Sequence, residues 1–142
     1  MTEPTVKPSI IALVICDDIY QEHSTGKTAL VGLFSNLQTF GKCPIVHPKM
    51  AVFVSVTGLR PSSSAKLEII HAENDTPVVV AEGKFPDTVD PLAIADMCFV
   101  LVNVAFPTPG TYYVRFWSNT HLLVMRPFEV IEMQPPTGEE QK

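Results

Sequence analysis

Proline placement constrains this chain more than any other feature. Of its 13 prolines, Pro44, Pro48, Pro61, Pro77, Pro86, Pro91, Pro107, Pro109 and Pro127 punctuate the interior at short intervals. Each removes a backbone donor and clashes with the preceding helical turn, which excludes a coiled coil or a long helical bundle. The segments between them are apolar and rich in β-branched residues, as strands prefer. The chain is 46% hydrophobic and only 18% charged, so it is not disordered over most of its length. Its 142 residues suit one domain. A chain of this size buries roughly two-thirds of its unfolded surface.

Read between these breaks, the sequence predicts strands over Ile10–Cys16, Thr28–Phe40, Lys49–Leu59, Ala65–His71, Pro77–Phe85, Met97–Phe106, Thr111–Trp117 and His121–Glu132. Gly32 suggests a bulge in the second run, and Gly41–Pro48 reads as a connection. Leu92–Asp96 fits a helical turn or a strand. Ala65–His71 alternates Leu67 and Ile69 against Lys66 and Glu68, the period-two pattern of a half-solvated strand. About eight short strands at even intervals predict an all-β, antiparallel, immunoglobulin-like sandwich, with a barrel as the alternative. The domain is expected over residues 9–133, after a loose segment 1–8 and before a polar, disordered tail 134–142. Pro127 interrupts the last strand, so that strand should lie at a sheet edge or carry a bulge there.

The formal net charge is −5, and no two Lys or Arg are adjacent, so no basic patch marks a nucleic-acid site. The apolar run Ile10–Cys16 falls far short of the about 20 residues a membrane-spanning helix needs. Ile15 stands where a lipoprotein signal has a small residue, and no A-x-A-like cleavage site follows. A cytoplasmic protein without membrane association is expected. Cys16, Cys43 and Cys98 are odd in number, lack C-x-x-C spacing and sit among apolar neighbours, as reduced thiols do.

Two segments carry resemblances. FPTPGTYYVRFWSNTHLLVMRPFEV (Phe106–Val130) resembles the closing hairpin of many immunoglobulin-like and fibronectin-like modules. Pro109-Gly110 makes the turn, Tyr112 points inward, and Phe128 and Val130 face the core. ICDDIYQEHSTGKTALVGLF (Ile15–Phe34) resembles the opening of a bacterial family known as domain of unknown function 6941. That resemblance implies a small cytoplasmic β-sandwich. It opens with a strand ending Cys-Asp and a Gly-Lys hairpin, followed by a strand carrying Leu30, Gly32 and Phe34. It implies no activity and no catalytic residue.

The candidate chemistry is sparse. Ser24-Thr25-Gly26-Lys27-Thr28 ends like a phosphate-binding loop, but Gln21 stands where the first Gly belongs and a β-type run follows, so it reads as a hairpin turn. Asp17, Asp18, Glu22 and His23, and separately Asp87, Asp90 and Asp96, could supply cation ligands. Neither group has the spacing of a metal loop, and turn chemistry explains both. His23, His47, His71 and His121 lie far apart, and Ser62-Ser63-Ser64 lacks a nucleophile-elbow context. No metal, cofactor or enzymatic activity is expected. One row invites a binding role: with Tyr112, Val114 and Phe116 inward, alternation puts Tyr113, Arg115 and Trp117 together on the opposite face. Such a row suits a protein hot spot or a platform for sugar rings. Alternatively a loop or tail covers it and Trp117 is a satellite core residue. The sequence thus points to a non-enzymatic binding module for a partner protein or for self-association. The alternative is a small-ligand or carbohydrate module using that row.

Overall fold

The computed structural model describes residues 8–85, 90 and 92–133. Nine strands run in chain order: β1 (Ser9–Gln21), β2 (Thr28–Leu33), β3 (Asn36–Phe40), β4 (Ile45–Thr57), β5 (Ser64–His71), β6 (Pro77–Lys84), β7 (Ile94–Phe106), β8 (Gly110–Ser118) and β9 (His121–Met133). They form a four-stranded sheet, β2-β1-β4-β7, and a five-stranded sheet, β3-β9-β8-β5-β6. The expected sandwich is therefore present. No helix among the described residues is long and apolar enough to cross a membrane.

The core lies between the sheets. Ile15, Met50, Val52, Val54 and Leu101 from one sheet meet Leu67, Ile69, Val114, Phe116, Phe128 and Val130 from the other. At one end Phe106 sets its ring edge-on against Tyr112 and Phe128, at 5.1 and 5.9 Å between centroids. Tyr112 is fully buried, and its hydroxyl donates to the Thr108 carbonyl at 2.6 Å. This tyrosine-corner arrangement pins the Pro107–Gly110 turn onto the start of β8.

Four local expectations are corrected. The run Thr28–Phe40 is two strands, in different sheets. Phe34 N–H still donates to Ile15 of β1, whereas the Ser35 carbonyl already accepts from Glu129 of β9. The chain thus crosses between sheets at this dipeptide, which also makes β3–β9 a parallel pair in an otherwise antiparallel structure. Gly32 is not a bulge, because the β1–β2 register stays in step on both sides of it. Its φ of +74° is left-handed, and a Cβ there would come within 2.5 Å of the Asp17 carboxylate. Replacing Gly32 by Ala should therefore cost about 1–3 kcal/mol, measurable as a lower urea midpoint.

The segment Gly41–Pro48 is only partly a connection, since β4 begins at Ile45. Pro48 lies within β4 at a bend shared with β7. The pairing is in step through Lys49↔Val102 and His47↔Val104, yet the inward face changes parity. Before the bend Met97, Phe99 and Leu101 face the core; after it Val104 and Phe106 do. Asn103, at φ +52°, takes up the turn of the backbone. Asn tolerates the left-handed region better than other side chains with a Cβ.

Finally, β9 is an interior strand, and its register slip lies at Phe116/Trp117 rather than at Pro127. Pro127 is tolerated for a local reason. β3 pairs only with Glu129–Met133, and the Glu129 N–H points to that side. The nitrogen of Pro127, two residues earlier, faces the same side just short of β3, where no donor is needed. Leu92–Asp96 resolves as a turn at Leu92–Ala93 leading into β7 at Ile94. The expected loose segment 1–8 lies outside the described residues except for Pro8, and the expected tail 134–142 and Asp87 lie wholly outside them.

Candidate functional site

The predicted row is real as a geometric object. Tyr112, Val114 and Phe116 are fully buried, and Tyr113, Arg115 and Trp117 share the outer face of β8, each half-buried. Across the strand boundary they face Ile70, Glu68 and Lys66 of β5. Glu68 is the centre of this face, although it points away from the core. It is only 6% exposed, because Arg115 and Trp117 fold over it. Its Oε1 accepts the Trp117 indole N–H at 2.7 Å and lies 2.7 Å from Arg115 Nε, an ion pair in which that N–H is not aligned on the oxygen. Lys66 Nζ stands 4.0 Å from Oε2 and 5.1 Å from the centroid of the Trp117 ring, and the Arg115 guanidinium lies 5.7 Å from that centroid. The charged groups of the row therefore already have partners within the chain.

The other candidates separate in space. Asp18 pairs with Lys49 at 3.0 Å, and this contact, then the Ile19 N–H, holds its carboxyl below the usual carboxylate range. Asp17 lies under Gly32. Glu22 accepts from the Ser24 hydroxyl inside the β1–β2 turn. That turn, which holds the phosphate-loop look-alike, is closed by Glu22 N–H to Lys27 and Gly26 N–H to Glu22, both at 2.8 Å. Asp96 accepts from the Ser55 hydroxyl at 2.7 Å. His71 is buried, accepts the Glu73 N–H at Nδ1 and sits 2.8 Å from the Thr108 hydroxyl, an arrangement that braces the tyrosine corner. No group of three or more His, Cys, Asp or Glu among the described residues is arranged to hold a metal ion. Burial raises all three thiols above the ordinary value, with Asp96 adding to the effect at Cys98.

A second surface emerges only from the fold. The outer face of the four-stranded sheet carries Val31 and Leu33 of β2, Val14 of β1, Phe53 of β4 and Cys98, Val100 and Val102 of β7, with the Asp18–Lys49 ion pair between Val31 and Val102. Leu33 is 65% exposed and Val102 64%. β7 is one of the two edges of this sheet, β2 being the other. Beside the β7 edge runs a shallow groove lined by Gly83, Phe85, Met97 and Phe99. The sequence signal for this surface was ambiguous. Met97–Phe106 is apolar on both faces, the pattern of a strand buried on both sides.

The architecture defines an immunoglobulin-like β-sandwich. The chain belongs to the family of unknown function DUF6941, whose model matches residues 11–131. An immunoglobulin-like protein from Pseudomonas aeruginosa is similar in structure at 10% sequence identity and a TM-score of 0.47, covering 91% of this chain and 100% of that one. No curated protein matches the chain.

Proposed function

We propose that this protein is a non-enzymatic interaction module that accepts an extended polypeptide strand along the free edge of β7. The observation that carries the reading is a contrast among the four sheet edges. Natural sheets protect an edge with short length, charge, Pro, Gly or a distorted backbone. β2 is six residues long and carries the left-handed Gly32; β3 is five residues long. β6 begins at Pro77 and ends in Glu82, Gly83 and Lys84. β7 has 13 residues, no Pro, Gly, Lys or Arg, and Asp96 as its one charge, and its left-handed Asn103 lies beyond the straight stretch Ile94–Val102.

Strand addition draws affinity from main-chain hydrogen bonds and specificity from sites for alternate side chains. β7 offers both kinds of site. One set of added side chains would lie against Cys98, Val100 and Val102 on the outer face, and the other would enter the groove at Met97 and Phe99. The Tyr113, Arg115 and Trp117 row is the weaker docking surface, because Glu68 already pairs with the Arg115 charge and accepts the Trp117 indole N–H.

The test is amide hydrogen exchange on protein captured with its partner from the native lysate, compared with Val100→Lys. β7 amides should exchange more slowly in the complex. Val100→Lys places a charge on an exposed edge position, and should abolish capture without lowering the unfolding temperature. Capture undiminished in that variant, with unprotected β7 amides, would sink the reading.

A further inference from the structure

We infer that the strand seated on β7 is β7 of a second copy, laid antiparallel about a two-fold axis beside Cys98. The inference rests on the strand-addition reading and adds the partner and the register. A closed dimer needs a strand that is its own complement. The straight part of β7 runs from Ile94 to Val102, between the Leu92–Ala93 turn and the left-handed Asn103. Its midpoint is Cys98. Full antiparallel overlap of two such stretches therefore sets Cys98 opposite its counterpart, Ile94 opposite Val102, and Asp96 opposite Val100.

Both faces of the pairing are compatible with this register. Outward, Cys98 meets itself and Ile94 meets Val102, all three being exposed in the single chain. Inward, Met97 of each copy meets Phe99 of the other. These half-buried side chains beside the groove gain a thioether–ring contact that fills the open flank of each core. Charge also selects the register. The protein carries −5 overall, but β7 holds one acid. With Asp96 opposite Val100, the two Asp96 carboxylates are four residues apart along the strands. That is roughly 13 Å at 3.3 Å per residue, beyond the screening length of about 8 Å at physiological salt. The slipped register that sets Asp96 opposite Asp96 is penalised. The pairing joins two four-stranded sheets into one.

The experiment uses the full chain. Light scattering across micromolar concentrations should give a dimer. Mild oxidation with copper phenanthroline should give a dimer on non-reducing gels, because directly opposed cross-strand Cβ atoms lie about 4.5–5.5 Å apart, close to disulfide reach. Cys98→Ser should remove the cross-link and Cys43→Ser should keep it. Val100→Lys should weaken the dimer at least tenfold, and its unfolding temperature, read at a dilution where both proteins are monomers, should match the parent's as a folded control. A strict monomer at every concentration overturns the second copy as partner, while β7 protection by another protein would still uphold strand addition. A dimer that does not cross-link at Cys98 and resists Val100→Lys overturns the β7 assignment itself.

Discussion

Replacing Phe106 by Ala should destabilise the protein by about 3–5 kcal/mol, the cost of truncating a buried aromatic and leaving a cavity. The unfolding temperature should fall by roughly 10–20 °C for a domain of this size. Phe106 is fully buried and joins the end of β7 to Tyr112 on β8 and Phe128 on β9, so its ring links the two sheets. The measurement also decides a point of architecture. Had β7 kept strict alternation through Asn103, Phe106 would stand on the outer face with Val100 and Val102, and its truncation would cost little. A loss below about 1 kcal/mol, the ordinary range for surface changes, would refute the change of face at Asn103. Tyr112→Phe supplies the companion measurement. It keeps the ring packing and removes only the hydroxyl bond to Thr108, so about 1–2 kcal/mol should be lost.

The sandwich was legible because Pro and Gly mark the strand ends and because the strands alternate. Ala65–His71 and Thr111–Trp117 show the alternation directly, and both lie in the structure with the predicted residues inward. The legible features are local ones. What escaped the sequence depends on partners far along the chain. Thr28–Phe40 has no breaker at Phe34–Ser35, and only the pull of β1 on one side and β9 on the other divides it. Pro127 looked incompatible with an interior strand because the sequence does not show where β3 stops. The row of Tyr113, Arg115 and Trp117 followed from period two alone. Glu68 reads as a solvated charge in the sequence, because nothing in Ala65–His71 reveals that β8 brings an Arg and a Trp to cover it. The β7 edge was hidden for the opposite reason. An apolar run gives the same pattern whether a neighbouring strand covers it or solvent does.

Glu68→Ala should cost about 2–4 kcal/mol, well above the usual value of a surface ion pair, because the carboxylate is buried and its loss strands Arg115 and the Trp117 indole N–H. Glu68→Gln retains an acceptor for the indole and loses the ion pair, so it should fall between Ala and the parent. The double variant Glu68→Leu with Arg115→Leu removes both charges together and should recover the part of the loss due to Arg115, since an apolar pair can replace a buried ion pair at little cost, while the indole N–H stays without its acceptor. Trp117 is the single Trp of the chain, so its emission reports on this face alone. It should shift to the red in Glu68→Ala, as the ring loses its anchor and meets water. If Glu68→Ala left both stability and emission unchanged, the row would be free of its internal partner and available to a ligand. A loss of the expected size makes Glu68 the residue that holds Arg115 and Trp117 flat against the five-stranded sheet.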